Sequence, residues 1–101
     1  MKYRFDIGEG KKVIISGDET FESLGYEILR EYGIKPDQLD RFMFADGDIT
    51  NSISQLEQKG IGIVSIKTKI KDRKLKIGED MILAYKSPGW AKKATLEGIE
   101  E

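Results

Sequence analysis

The stretch GEDMILAYKSPGWAKKATLE, residues 78–97, decides the fold, because it reads as two strands joined by a tight turn. Within Ser87-Pro88-Gly89-Trp90, proline presets φ at the second turn position and glycine supplies the positive φ that a type II turn needs at the third. Residues 81–86 and 90–97 should therefore pair as antiparallel strands.

Working outward, the N-terminus gives a second strand pair. Met1, Tyr3, Phe5 and Ile7 alternate with Lys2, Arg4 and Asp6, the period of a strand with one buried face. Gly8-Glu9-Gly10 turns the chain, and the β-branched run Lys12-Val13-Ile14-Ile15-Ser16 supplies the partner. A helix should follow over residues 20–32. Asp18 and Thr20 are suitable N-caps, and Glu19 and Glu22 place negative charge at the positive end of the helix dipole. Phe21, Leu24, Gly25, Ile28 and Leu29 form one apolar stripe, and Gly33 with Pro36 stops the helix. Gly25 lowers helix propensity by about 1 kcal/mol relative to alanine, so its place on the stripe predicts close packing against the sheet.

The middle of the chain is less regular. Residues 39–45, with Phe42, Met43 and Phe44, read as a strand, and Asp46-Gly47 is a favoured pair for a two-residue hairpin turn. Residues 50–59 are polar and read as a loop or short helical turn ending at Gly60. Ile61, Ile63, Val64 and Ile66 read as a further strand, with residues 67–76 as its exposed end and a connector.

At 101 residues the chain fits one domain, residues 1–101, able to bury a modest core without metal or disulfide support. It is 39% hydrophobic and 35% charged, a globular balance. The absence of cysteine excludes disulfides, thiolate nucleophiles and thiolate metal ligands, and the absence of histidine removes imidazole bases and triads. No cofactor is implied. The alternating start is unlike a signal peptide and no apolar run reaches about 18 residues, so the expected setting is the cytoplasm without a membrane partner.

Read in order, these elements resemble the plasmid pRiA4b ORF-three-like family. Its members open with a strand pair, pass through Gly-Asp-x-Thr into a helix, carry a strand that begins near a leucine, and close on Gly-Asp, strand, turn, Trp and Thr-Leu-Glu. The matching positions here are residues 3–5, Gly17-Asp18-Glu19-Thr20, residues 24–32, 39–44 and 78–85, Trp90, and Thr95-Leu96-Glu97, nearly the whole chain. At the final turn the family carries a longer acidic sequence where this chain has Lys86-Ser87-Pro88-Gly89. The resemblance implies an α+β scaffold and points to plasmid- or transposon-borne genes. It implies no established activity.

Four constellations carry candidate chemistry. The net charge of −1 divides into −4 over residues 1–66 and +3 over residues 67–101. Lys67, Lys69, Lys71, Arg73, Lys74 and Lys76, together with Trp90, Lys92 and Lys93, could follow a phosphate backbone while the aromatic stacks on a base. Lysines alternating with Ile66, Ile70 and Leu75 also describe an edge strand protected by charge. Second, Asp46, Asp48, Thr50, Ser54 and Glu57 fall at calcium-loop positions 1, 3, 5, 9 and 12, but Asn51 stands where the bend wants glycine and a strand precedes them, so a hairpin turn and polar loop is the plainer reading. Third, paired carboxylates could do acid/base work without histidine, although most lie in first turns, loops or the Glu97, Glu100, Glu101 tail. Fourth, Tyr3, Phe5, Phe21, Phe42, Phe44, Tyr85 and Trp90 read as core aromatics, Trp90 being the least clear because it follows a turn.

The fold expected is α+β: a small antiparallel sheet built from hairpins, with one main helix packed on one face. The function expected is a non-enzymatic interaction module with a protein partner, bound at the sheet's other face or edge. The alternatives are a nucleic-acid-associated accessory protein using the basic residues above, and a metal- or carboxylate-dependent hydrolase around Asp46 and Asp48. An open sheet edge allows a homodimer as well as a monomer.

Overall fold

The structure is a computed structural model, and it describes residues 1–46, 63–85 and 90–101. The fold is α+β: among the described residues one α-helix lies on a six-stranded antiparallel sheet. The strands are β1 (Lys2–Gly8), β2 (Lys11–Ser16), β3 (Phe42–Asp46), β4 (Ile63–Val64), β5 (Asp80–Tyr85) and β6 (Ala91–Glu100), in the order β2-β1-β6-β5-β3-β4, and the helix is α1 (Phe21–Glu31).

The arms expected for the first and the last hairpin are present. Gly8 pairs with Lys11, and the two residues between them, Glu9 and Gly10, have φ of 54° and 74°. Two successive positive φ values are what a two-residue hairpin turn of matching twist demands. β5 and β6 pair from Asp80↔Thr95 to Ala84↔Ala91. The Pro88-Gly89 turn lies outside the described residues, as do the Asp46-Gly47 turn, the polar stretch 50–59 and the calcium-like spacing from Asp48 to Glu57.

α1 forms where its stripe and its cap agree. The Thr20 hydroxyl accepts from the Ser23 N–H at 3.3 Å, and Phe21, Leu24, Gly25, Ile28 and Leu29 are all buried. They pack on Phe5, Ile7, Val13 and Ile15 of the first hairpin and on Phe44, Met81, Leu83 and Leu96 across the sheet. A Cβ on Gly25 would stand 2.7 Å from Leu39 Cδ1 and 3.3 Å from Phe44 Cε2, so the site has no room for the larger apolar side chains of the rest of the stripe.

β3 and β5 carry the runs FMFA and MILA, which do not alternate, and both faces of these strands are buried: Met43, Ala45, Ile82 and Ala84 on one side, Phe44, Met81 and Leu83 on the other. β1 alternates, burying Tyr3, Phe5 and Ile7 and turning Arg4 and Asp6 away from α1. A bulge between the Arg4↔Gly98 and Phe5↔Leu96 pairs leaves Glu97 as the extra residue. Its carboxylate meets Arg4 Nε at 3.3 Å and also the Lys12 ammonium, while Arg4 reaches Glu100 at 2.7 Å.

Three expectations for the middle of the chain are corrected. β3 begins at Phe42, not at residue 39, because Pro36–Arg41 winds into a 3-10 helix with proline in its opening turn and brings Leu39 under Gly25. The strand expected over residues 61–66 is Ile63–Val64 among the described residues, and Ile66 lies in a turn. Residues 67–76 form no strand: a turn leads to one bridge, Thr20↔Lys69, and then a 3-10 helix at Ile70–Arg73. The reason is the start of α1. Its first amides have no partner within the helix, and here the Phe21 and Glu22 N–H groups donate to the carbonyls of Thr68 and Ile66 at 3.0 and 2.9 Å. Ile70 and Lys71 donate back to Glu19 and Gly17, and Ile70 and Leu75 enter the core. The backbone of this segment caps a helix, so it is not available as an edge.

Candidate interaction surface

A sheet of six strands has two edges. One is β4, which among the described residues comprises Ile63 and Val64. The other is β2, six residues of LysLysValIleIleSer with Ile14 60% exposed. Short strands are how natural sheets blunt an edge, and β2 lacks that protection.

The hydrogen-bond phase of β2 follows from one contact. Gly17 N–H donates to Met1 C=O at 3.0 Å, one step beyond the Lys2↔Ser16 pair. Bonded and non-bonded positions alternate along an antiparallel ladder, so Val13 and Ile15 turn their backbone groups toward β1. Lys12, Ile14 and Ser16 turn theirs outward. The Ser16 carbonyl accepts from Glu19 N–H at 3.0 Å, and among the described residues nothing bonds to the outward groups of Lys12 and Ile14.

Beside this edge runs an open groove of about 420 Å³ lined by Ile14, Ile15, Ser16, Glu19, Ser23 and Glu27. β2 supplies one wall and the first two turns of α1, with the residue ahead of its cap, supply the other. The Ser23 hydroxyl donates to Glu19 at 3.0 Å, and Glu27 meets Arg30 at 3.3 Å. The groove is apolar at its strand wall and acidic at its helix wall. No motif marks it in the sequence; what could have signalled it is the combination of a terminal hairpin with a β-branched outward residue.

The nine basic and aromatic residues singled out by charge fall in three places. Lys67, Lys69, Lys71, Arg73, Lys74 and Lys76 lie on the segment that caps the N-terminal end of α1. Lys71 is paired with Asp18 at 2.7 Å, and that ammonium holds the Asp18 carboxyl below its ordinary value. Trp90 and Lys92 lie at the other end of α1, about 16 Å away for eleven residues at 1.5 Å each. Lys93, the next residue along the strand, points to the opposite sheet face and stands 3.8 Å from Asp80.

Trp90 is a packing residue. Its ring meets Phe42 edge-on at 5.2 Å and Tyr32 edge-on at 5.9 Å, and Lys92 Nζ stands 4.9 Å over the Tyr32 ring. Lys92 also reaches Glu9 at 3.8 Å. The Tyr32 hydroxyl donates to the Ile7 carbonyl, tying the end of α1 to the first hairpin. Burial, then the charges of Glu9 and Asp6, raises the Tyr32 hydroxyl above its ordinary value. A phenol raised in the folded state contributes stability that is complete below its unfolded value of about 10 and is lost as pH rises through the folded value. Tyr32→Phe should therefore cost about 1–2 kcal/mol at neutral pH, with the gap to wild type closing above about pH 10. Urea unfolding at a series of pH values reads both effects.

Among the described residues no polar or charged side chain is buried, and no group of three or more acidic residues is placed to hold a metal ion. The Asp46 and Asp48 side chains lie outside the description. No described helix is long and apolar enough to cross a membrane. Comparison with known protein families, curated proteins and solved structures finds no match to this chain.

Proposed function

We propose that the chain is a small non-enzymatic interaction module that docks a protein partner along the β2 edge, in the cytoplasm. The observation that carries this reading is the edge itself: six residues long, with the outward backbone groups of Lys12 and Ile14 unmatched among the described residues and Ile14 exposed. Adding a strand there satisfies the backbone and covers the isoleucine in one step. The want of histidine and cysteine and the open groove beside the edge support binding over catalysis.

The test is site-specific photo-crosslinking in the cell of origin, with the reactive group at Ile14 and, as control, at Ile77, which is 58% exposed but stands away from the edge strand. Discrete protein adducts at position 14, absent at 77 and persisting when cells are lysed in high salt, are expected. Equal labelling at both positions, or none at 14, overturns the reading.

A second reading has its own observation. Lys67, Lys69, Lys74 and Lys76 are exposed and make no ion pair among the described residues, leaving a basic strip near the start of α1. This is the part of the predicted basic face that would serve a nucleic-acid-associated accessory protein of plasmid or transposon origin. Anisotropy of labelled DNA and RNA across about 50 to 200 mM salt tests it, since each phosphate contact steepens the salt slope by about 0.9. Reversing these four lysines should abolish such binding; binding unchanged by the reversal removes them.

A further inference from the structure

We infer that the segment received by the β2 edge is an extended, basic peptide of another protein, with lysine or arginine on the side that turns toward α1. The inference rests on the docking reading above and adds the chemistry of the occupant. A strand laid beside β2 hydrogen-bonds to the outward groups of Lys12 and Ile14, and its side chains alternate between the two faces of the extended sheet. On one face they fall beside the exposed Ile14, which suits an apolar or β-branched residue. On the other they enter the groove, whose helix wall presents Glu19 and Glu27. Among the described residues Glu19 is met by the Ser23 hydroxyl and by no cation, and Glu27 is shared with an Arg30 whose side chain is 66% exposed. Two carboxylates set along one wall call for cations at alternate positions of the incoming strand.

The same geometry argues against a second copy of this chain. Lys12, Ile14 and Ser16 are symmetric about Ile14, so two β2 strands could pair about a two-fold axis through that residue. That axis stands perpendicular to the sheet and places both helices on one face. Glu19 and Glu27 of both copies would then share that face, while the cation each copy brings there, Lys11, already lies 5.8 Å over its own Tyr32 ring, an arrangement that like charges oppose.

The probe is a fluorescein-labelled heptapeptide of alternating lysine and valine, titrated with the full chain at physiological salt and followed by anisotropy. Three comparisons accompany it: the same peptide with glutamate for lysine, the same peptide N-methylated at alternate amides, and the Glu19→Lys, Glu27→Lys double variant. Both glutamates lie on the surface, and circular dichroism verifies that the variant is folded. Saturable binding should weaken by about tenfold or more in the double variant and with the N-methylated peptide, and the glutamate peptide should bind the variant in preference to wild type.

Binding untouched by N-methylation would mean adsorption without strand pairing, and binding untouched by the double variant would mean that the acidic wall does not select. Either result overturns the inference. A glutamate peptide bound by wild type as tightly as the lysine peptide refutes the charge assignment while leaving the edge as a docking strand. No binding by peptides of either charge, together with no crosslinks from position 14, refutes the docking reading itself. A sedimenting dimer dispersed by Ile14→Pro assigns the edge to a second copy and overturns the peptide.

Discussion

Replacing Phe44 by alanine should cost about 3–5 kcal/mol of folding stability, the range for a large aromatic removed from a closed core. The ring is 0% exposed, and its centroid stands 5.4 Å from that of Phe21. Phe44 pairs with Leu83 on one side and Val64 on the other, so the vacated space is walled by strands that cannot close on it without breaking their ladders. Domains of this size are stable by about 5–15 kcal/mol, and the variant should be close to the limit of folding. Urea unfolding measures it. A cost under about 1 kcal/mol would mean that the site collapses freely and that Phe44 is not central to the core.

Gly25→Val should cost about 2–3 kcal/mol, while Gly25→Ala should be close to neutral. The difference lies in what each added atom meets. A Cβ comes within 2.7 Å of Leu39 Cδ1, the far end of a side chain that can rotate away. Alanine's helix propensity, better by about 1 kcal/mol, offsets that movement. Valine adds two methyl groups that press on both Leu39 and the Phe44 ring, which stands 3.3 Å from the Cβ and is held by its strand. Adding Leu39→Ala to Gly25→Val should give a double variant that costs less than the sum of the two changes. Additivity would place the strain elsewhere.

The fold was readable where its information is local. The stripe from Phe21 to Leu29, with Thr20 ahead of it, located α1 to within a residue at each end, because cap and stripe agree. The alternation of Tyr3, Phe5 and Ile7 gave β1 and its buried face. What could not be read was the order of the strands. β1 and β6 pair across more than eighty intervening residues, and β3 takes β5 and β4 as neighbours, through contacts that leave no periodic trace. Residues 67–76 misled because lysines spaced by isoleucine and leucine look like an edge strand. The carbonyls of Ile66 and Thr68 are recruited by the first amides of α1, a demand visible only once the helix is in place. The basic residues were visible one by one, yet the two ends of a helix and two faces of a sheet separate them. The β2 edge was half visible: Ile14 breaks the outward polar pattern of its strand, but its exposure depends on which strand ends the sheet.

The position of β6 bears on how the chain comes to be folded at all. β6 lies between the first hairpin and the β5-β3-β4 block, so it is the seam of the sheet. β1 and β2 can pair as soon as they are made, and α1 can wind beside them. Their other flank then stays open until residues 91–100 arrive from the ribosome and zip against β1 on one side and β5 on the other. During synthesis β1 thus waits as a second bare edge, with Tyr3, Phe5 and Ile7 only partly covered. Closure over so long a separation in sequence is slow compared with the formation of a hairpin or helix. The nascent chain therefore passes through an interval in which its own later strand must reach that edge before another molecule does.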